Sequence, residues 1–311
     1  MKRWVSVFAL CVAATPALAG EDAGLTVTSS TPTFSAGAEL VNLTVTVHDS
    51  KGQLVSGLAP EDFSIYEDGR PQKLQLFAPA VVAGQNEALA LDLGLLLDTS
   101  ESMAKEIRLT QEAATRFLEA IPRARDLLTI FFDQDIRVSR YDSEHQQGLF
   151  ERIVGARASG NTALYDAIAV YLSRVQDSGG RKVLVLLTDG EDTTSELTLD
   201  QIVRLVRSSS VTIYAIAFPG EYSYGTARFT SARSFLLFLA EQTGGRVFCA
   251  TESKDLPPIY EKILDELSSQ YVLGFTSDNT GRDGKYRKLR VDLKRKDLRV
   301  HARAGYFAPK G

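Results

Sequence analysis

Four apolar runs, each of strand length and each closing on a polar loop, constrain the fold of this chain more than any other feature. They are Leu91–Leu97 before Asp98, Leu127–Phe132 before Asp133, Val183–Leu187 before Thr188-Asp189-Gly190, and Val211–Phe218. A strand that is apolar at nearly every position is buried on both faces, the environment of a parallel sheet covered by helices. Segments with helical spacing separate the runs. They fall at Ser102 to about Ile121 (Met103, Ile107, Ala114, Phe117, Leu118), Gln146–Val154, Ala163–Val175, near 199–208 and near 233–242. A short strand at Arg246–Ala250 and a helix near 254–269 follow. This alternation predicts a doubly wound, mostly parallel α/β domain over 91–268.

The flanks have a different period. Over 25–80, Leu43, Val45 and Val47 alternate with Thr44, Thr46 and His48, and Asp49-Ser50-Lys51-Gly52 is a turn. Glu67-Asp68-Gly69-Arg70-Pro71 between Phe63, Ile65 and Leu74, Leu76 is a hairpin signal with its glycine in place. Residues 80–90 have the composition of a linker. Over 270–308, Tyr271–Phe275 precedes Leu289, Val291 and Leu293 and then Leu298, Val300 and Ala302, each alternating with polar residues. A lone hairpin is barely stable, so the two flanks are expected to pack together as one β-sandwich-like module beside the α/β domain.

Bulk properties narrow the function. A chain 44% hydrophobic and 24% charged is globular rather than disordered. The formal charge of −4 argues against nucleic acid or an anionic membrane as partner, and the basic run Tyr286–Arg303 reads as a solvated strand face. Met1-Lys2-Arg3, the apolar Trp4–Ala14 and Ala17-Leu18-Ala19 form a secretory signal over 1–19. Its brevity is of the bacterial kind. With no second long apolar stretch, no membrane span is expected after cleavage, and the mature protein is expected in the periplasm or the medium. Only Cys249 then remains, so no internal disulfide can form. Its strand position predicts a buried small hydrophobe, and one cysteine with three scattered histidines does not build a zinc site.

Ligands of a doubly wound sheet bind beyond the carboxyl ends of its strands. Three loops there carry oxygen donors: Asp98-Thr99-Ser100-Glu101-Ser102, Ser159-Gly160-Asn161-Thr162, and Thr188-Asp189-Gly190-Glu191-Asp192. Carboxylates and hydroxyls without Cys or His suit a hard cation, Mg²⁺ or Mn²⁺, with Ca²⁺ a further candidate. Taken singly, Ser102 and Thr162 could be helix N-caps and Asp189-Gly190 a plain turn. Glu191, Asp192 and Asp133 read as solvated loop charges. Tyr222-Ser223-Tyr224-Gly225 and Phe229 are either a recognition surface or packing.

The three loops, in this order on this scaffold, resemble the metal-ion-dependent adhesion site of von Willebrand factor A and integrin inserted domains. Its Asp-x-Ser-x-Ser element falls on Asp98, Ser100 and Ser102, its threonine on Thr162 and its second aspartate on Asp189. The flanks resemble a bacterial group of exported VWFA-related proteins, through Gly57-Leu58, Glu61-Asp62-Phe63, Glu67-Asp68-Gly69 and Arg303-Ala304-Gly305-Tyr306-Phe307. The resemblance implies a VWA-type, Rossmann-like fold and a cation held by Ser100 and Ser102, with Thr162 joining when ligand binds. Asp98 and Asp189 would act directly or through water, and a partner's acidic residue would complete the octahedron. The sequence departs from the family at Glu101, where glycine is usual, which puts acidic-partner capture in question more than metal binding. The expected function is metal-dependent protein binding, adhesion or interaction, with no catalysis. Two alternatives stay open: a structural assembly subunit whose metal only stabilises it, and a metal-dependent hydrolase. Against the second, the domain's sole histidine, His145, lies in a polar stretch, no phosphate loop is present, and no lysine or arginine except Lys105 is expected to support phosphoryl chemistry at these loops.

Overall fold

The structure, a computed structural model, describes residues 40–79, 91–121, 124–141, 146–175, 180–219 and 227–310. The expected signal over 1–19, the linker at 80–90, His145 and Tyr222–Gly225 lie outside them, as does the side chain of Phe229.

The apolar runs form the expected sheet. In chain order its strands are β5 (Leu91–Asp98), β6 (Asp126–Phe132), β7 (Ile136–Tyr141), β8 (Arg181–Thr188), β9 (Thr212–Ala217) and β10 (Val247–Cys249), arranged β10-β9-β8-β5-β6-β7. All neighbours pair in parallel except β6 and β7. The residues of β5 divide between two cores. Leu91, Leu93, Leu95 and Leu97 pack with α1 (Ile107–Ala120), α2 (Gln146–Gly155) and α6 (Leu256–Ser269). Leu96 faces α3 (Leu164–Arg174), α4 (Leu199–Ser208) and α5 (Ala227–Thr243). Burial on both sides removes the alternation that an exposed strand would show.

Gly94 lies in the middle of β5 because Tyr171 of α3 occupies the space a side chain would need. A Cβ there would lie 2.1 Å from the Tyr171 ring, which is itself fully buried and hydrogen-bonds Val183 O. Gly94→Ala is therefore expected to lower unfolding free energy by about 1–3 kcal/mol through overpacking. Urea denaturation checks this, and an unchanged midpoint would contradict the packing described.

Several expectations change in detail. The antiparallel edge strand β7 was not anticipated, although Ile136-Arg137-Val138-Ser139-Arg140 alternates with a strand's period. The helix expected from Ser102 instead begins at Ile107, after a 3-10 turn over Glu101–Met103. Cys249 is exposed, since the short edge strand β10 turns Phe248 and Ala250 inward and Cys249 outward. Thr46 and His48 are buried rather than solvated, because α6 covers the far face of their strand.

The flanking segments form two antiparallel sheets. β1 (Leu40–His48) lies between β11 (Tyr271–Thr276) and β13 (Arg299–Ala302), with β4 (Leu76–Pro79) beyond β11. The second sheet runs β14-β12-β2-β3, from β14 (Gly305–Phe307), β12 (Tyr286–Leu293), β2 (Phe63–Glu67) and β3 (Arg70–Gln72). Leu43, Val45, Phe63, Ile65, Leu273, Phe275 and Leu289 fill the space between them. Strands from before and after the α/β unit thus share both sheets. The β2–β3 turn places Asp68 and Gly69 at φ 47° and 80°, the left-handed pair that a tight hairpin requires. Among the described residues no helix is long and apolar enough to cross a membrane.

Candidate metal centre

The two central strands deliver the two aspartates side by side. β5 and β8 pair through Leu97 and Leu187, so one further step sets Asp98 beside Thr188, with Asp189 next in the chain. The helices of the first and last crossovers lie on opposite faces here, which makes this the switch point of the sheet.

Asp98 is fully buried. Its Oδ1 accepts hydrogen bonds from the Ser100 amide at 3.0 Å and the Ser100 hydroxyl at 2.6 Å. Its Oδ2 accepts from the Thr188 hydroxyl at 2.6 Å, and that hydroxyl in turn accepts from the Gly190 amide. The Ser100 and Ser102 hydroxyl oxygens lie 3.1 Å apart. Asp189 Oδ1 accepts from the Glu191 amide, whereas its Oδ2 is buried with no hydrogen-bond partner. Burial, and then the like charge of Asp189, push the Asp98 carboxyl up to about 7, against the opposing hydrogen bonds from Ser100 and Thr188.

Backbone bonds bring the Ser159–Thr162 loop to the same edge. Glu101 donates to Gly160 O and Ser159 donates to Thr99 O. Thr162 is buried, donates its amide to Thr193 Oγ1, and accepts at its carbonyl from the amides of Thr193 and Thr194. All five singled-out residues therefore lie along one edge. Asp98, Ser100 and Ser102 are linked directly by hydrogen bonds, Asp189 acts on Asp98 through its charge, and Thr162 is held by the backbone. Neither Ser102 nor Thr162 caps a helix: the N-caps of α1 and α3 are Glu106 and Ala163, without side-chain capping bonds.

Glu101 does not strain the loop. Asp68 is the only non-glycine residue with positive φ among the described residues, so the backbone at Glu101 does not call for glycine. Its side chain is exposed.

Two of the supposed solvated acids are built in. Asp133 is buried and takes a bidentate ion pair from Arg137, at 2.6 and 3.1 Å. Burial raises its carboxyl, but the hydrogen bonds and charge of Arg137, together with hydrogen bonds from the Asp135 amide and the Thr99 hydroxyl, outweigh this and hold it below its ordinary value. Asp192 is half-buried and accepts from the Tyr165 amide and the Ser195 hydroxyl, stapling the third loop to α3. Arg137 also donates to Thr99 Oγ1 at 3.0 Å. An arginine thus adjoins the Asp98 loop, brought by the unanticipated strand β7 from a part of the chain where no neighbour in sequence announces it.

The donor set fits a hard cation. Among the described residues no group of three or more His, Cys, Asp or Glu side chains is placed to hold a metal, so hydroxyl oxygens would have to complete any shell. The unpartnered Asp189 Oδ2 beside a second buried carboxylate is the kind of group a cation satisfies.

A doubly wound α/β unit with oxygen-rich loops at its switch point defines the class. The model of the von Willebrand factor type A domain matches residues 92–262, more than half of the chain, and the chain belongs to that family. A comparison with curated proteins finds no match. Among solved structures, a von Willebrand factor type A protein from Catenulispora acidiphila is similar at 12% identity and TM-score 0.48, covering 89% of this chain and 75% of that one. The pilus adhesin SpaC from Lactobacillus rhamnosus GG is similar at 10% identity and TM-score 0.50, over 82% and 49%. Proximal thread matrix protein 1 from the mussel byssus, with a zinc-occupied MIDAS motif, is similar at 13% identity and TM-score 0.47, over 58% and 48%.

Proposed function

We propose that this is an exported bacterial protein, periplasmic or secreted, that binds a protein partner through a divalent cation and catalyses no reaction. The observation that carries the reading is the pair of buried aspartates, Asp98 and Asp189, with Asp189 Oδ2 unpartnered and, on the Asp98 loop, the Ser100 and Ser102 hydroxyls adjacent to each other. Both oxygens of Asp98 are taken by Ser100 and Thr188. Its part is to orient the Ser100 hydroxyl and to supply charge through it. Ser100, Ser102, Thr162 and Asp189 would present oxygens to Mg²⁺, or to Mn²⁺ or Ca²⁺. Mg²⁺ takes six oxygen ligands and gives up water reluctantly, so a shell made partly of neutral hydroxyls leaves positive charge and a place for an outside carboxylate. Glu101, exposed on the same loop, would select for partners whose acidic group approaches from the other side.

A pull-down from envelope extract with and without chelator tests the reading. Partners recovered only with the cation support it. Identical recovery in both conditions favours a scaffold whose metal merely stabilises the fold, and turnover of a generic phosphate or ester that Asp98→Ala abolishes would make the protein a hydrolase.

A further inference from the structure

Beside the Asp98 loop opens a cleft of about 320 Å³, lined by Thr99 and Ser159 and by three arginines, Arg137, Arg152 and Arg157. Thr99 stands between Asp98 and Ser100 in the chain, so the cleft and the metal loop share a wall. The three guanidinium groups have different commitments. Arg137 is neutralised by Asp133. Arg152 donates to the Ser139 hydroxyl and lies over the Phe131 ring, 5.2 Å from its centroid. Arg157 is exposed and has no ion-pair or hydrogen-bond partner among the described residues. Three cations against the single carboxylate of Asp133 leave this cleft positive in a chain whose net charge is −4. A volume of this size matches the low end of ligand pockets, enough for one or two side chains rather than a large cofactor.

We infer that this cleft is a second anion subsite, taking a further acidic side chain of the same protein partner whose carboxylate reaches the metal loop. The inference rests on the metal-dependent reading above. Guanidinium forks match carboxylates in plane and in spacing. Phe131 pre-orders Arg152, which reduces the entropy lost when an anion arrives. The subsite therefore selects partners that carry two neighbouring acids, and it offsets the repulsion from Glu101.

The test uses the purified protein and two fluorescent peptides, hexa-aspartate and a Gly-Ser peptide with one aspartate, followed by anisotropy in Mg²⁺. Wild type is expected to prefer hexa-aspartate. Arg157→Glu is expected to weaken hexa-aspartate binding by about tenfold and the single-aspartate peptide by much less. Arg152→Gln should act in the same direction, with its melting temperature checking the fold. Equal hexa-aspartate affinity in wild type and Arg157→Glu overturns the subsite, as does wild type that fails to bind or to prefer hexa-aspartate. The metal reading is tested separately, by the Mg²⁺-induced thermal shift of wild type. Loss of that shift with intact Arg157 dependence sinks the metal and leaves the cleft as an anion site of its own.

Discussion

Asp98→Asn is expected to abolish the thermal stabilisation by Mg²⁺ that the proposed function requires, and to flatten its pH dependence. At a concentration one hundred times its dissociation constant, a cation that binds only the folded state stabilises it by about 2.7 kcal/mol. The substitution keeps the shape of the side chain, so the amide oxygen can still accept from Ser100 while the amide nitrogen faces Thr188. What it removes is one of two buried charges. The pH dependence has a definite sign. In metal-free protein Asp98 is held above its ordinary 3.8, at about 7. Its contribution therefore favours the fold below 3.8 and is lost as pH rises through about 7. Cation binding at the proposed site would reverse the slope, because a metal requires the ionised form and displaces the proton. Below pH 7, Mg²⁺ affinity should fall by about tenfold per unit. Differential scanning fluorimetry of wild type and Asp98→Asn at pH 6 and 8, with Mg²⁺ or chelator, reads both effects. A Mg²⁺ shift that survives in Asp98→Asn, or is larger at pH 6 than at pH 8, would remove Asp98 from the site.

Glu67→Ala is expected to cause the largest loss of stability, about 3–5 kcal/mol, by leaving a buried arginine uncompensated. Glu67 and Arg287 are each only 3% exposed and lie on the adjacent strands β2 and β12. Glu67 accepts from the Tyr306 hydroxyl and, at 2.6 Å, from Ser277. Arg287 donates to Ser277 and to the carbonyls of Asn279 and Gly281. Burial, and then the bond to Glu67, hold the Tyr306 hydroxyl up at about 12. Since folded domains are stable by only about 5–15 kcal/mol, a loss of this size is a large share of the total. Replacing the charged pair together, Glu67→Leu with Arg287→Met, should recover most of the loss, because the cost lies in the unpaired charge. Urea unfolding of the three proteins measures it. A loss below about 1 kcal/mol for Glu67→Ala would show that Arg287 is satisfied by Ser277 and the carbonyls alone.

Arg137 and Asp133 show where sequence reasoning stops. Their spacing was visible, but the strand period of Ile136–Tyr141 had to be recognised before Arg137 could be placed against Thr99, a residue of the Asp98 loop. Cys249 shows a second limit. Apolar neighbours predict burial for a strand as a whole, yet at a short edge strand the alternation alone decides which residue faces water.

By itself the sequence determined the parallel sheet, the order of its helices and the residues at its carboxyl edge. Doubly buried strands must be apolar throughout, and polar residues concentrate where they end. It also determined that both flanks are β structure, through their period of two. The tertiary structure alone decided that Asp98 spends both its oxygens on Ser100 and Thr188, that Asp189 keeps one unpartnered, and that Asp133 is buried. It decided as well that three arginines from β7, α2 and the loop after α2 line one cleft. Those facts depend on side chains far apart in the chain meeting at particular distances. Periodicity carries the direction in which a residue points; the partner it meets there is set by packing.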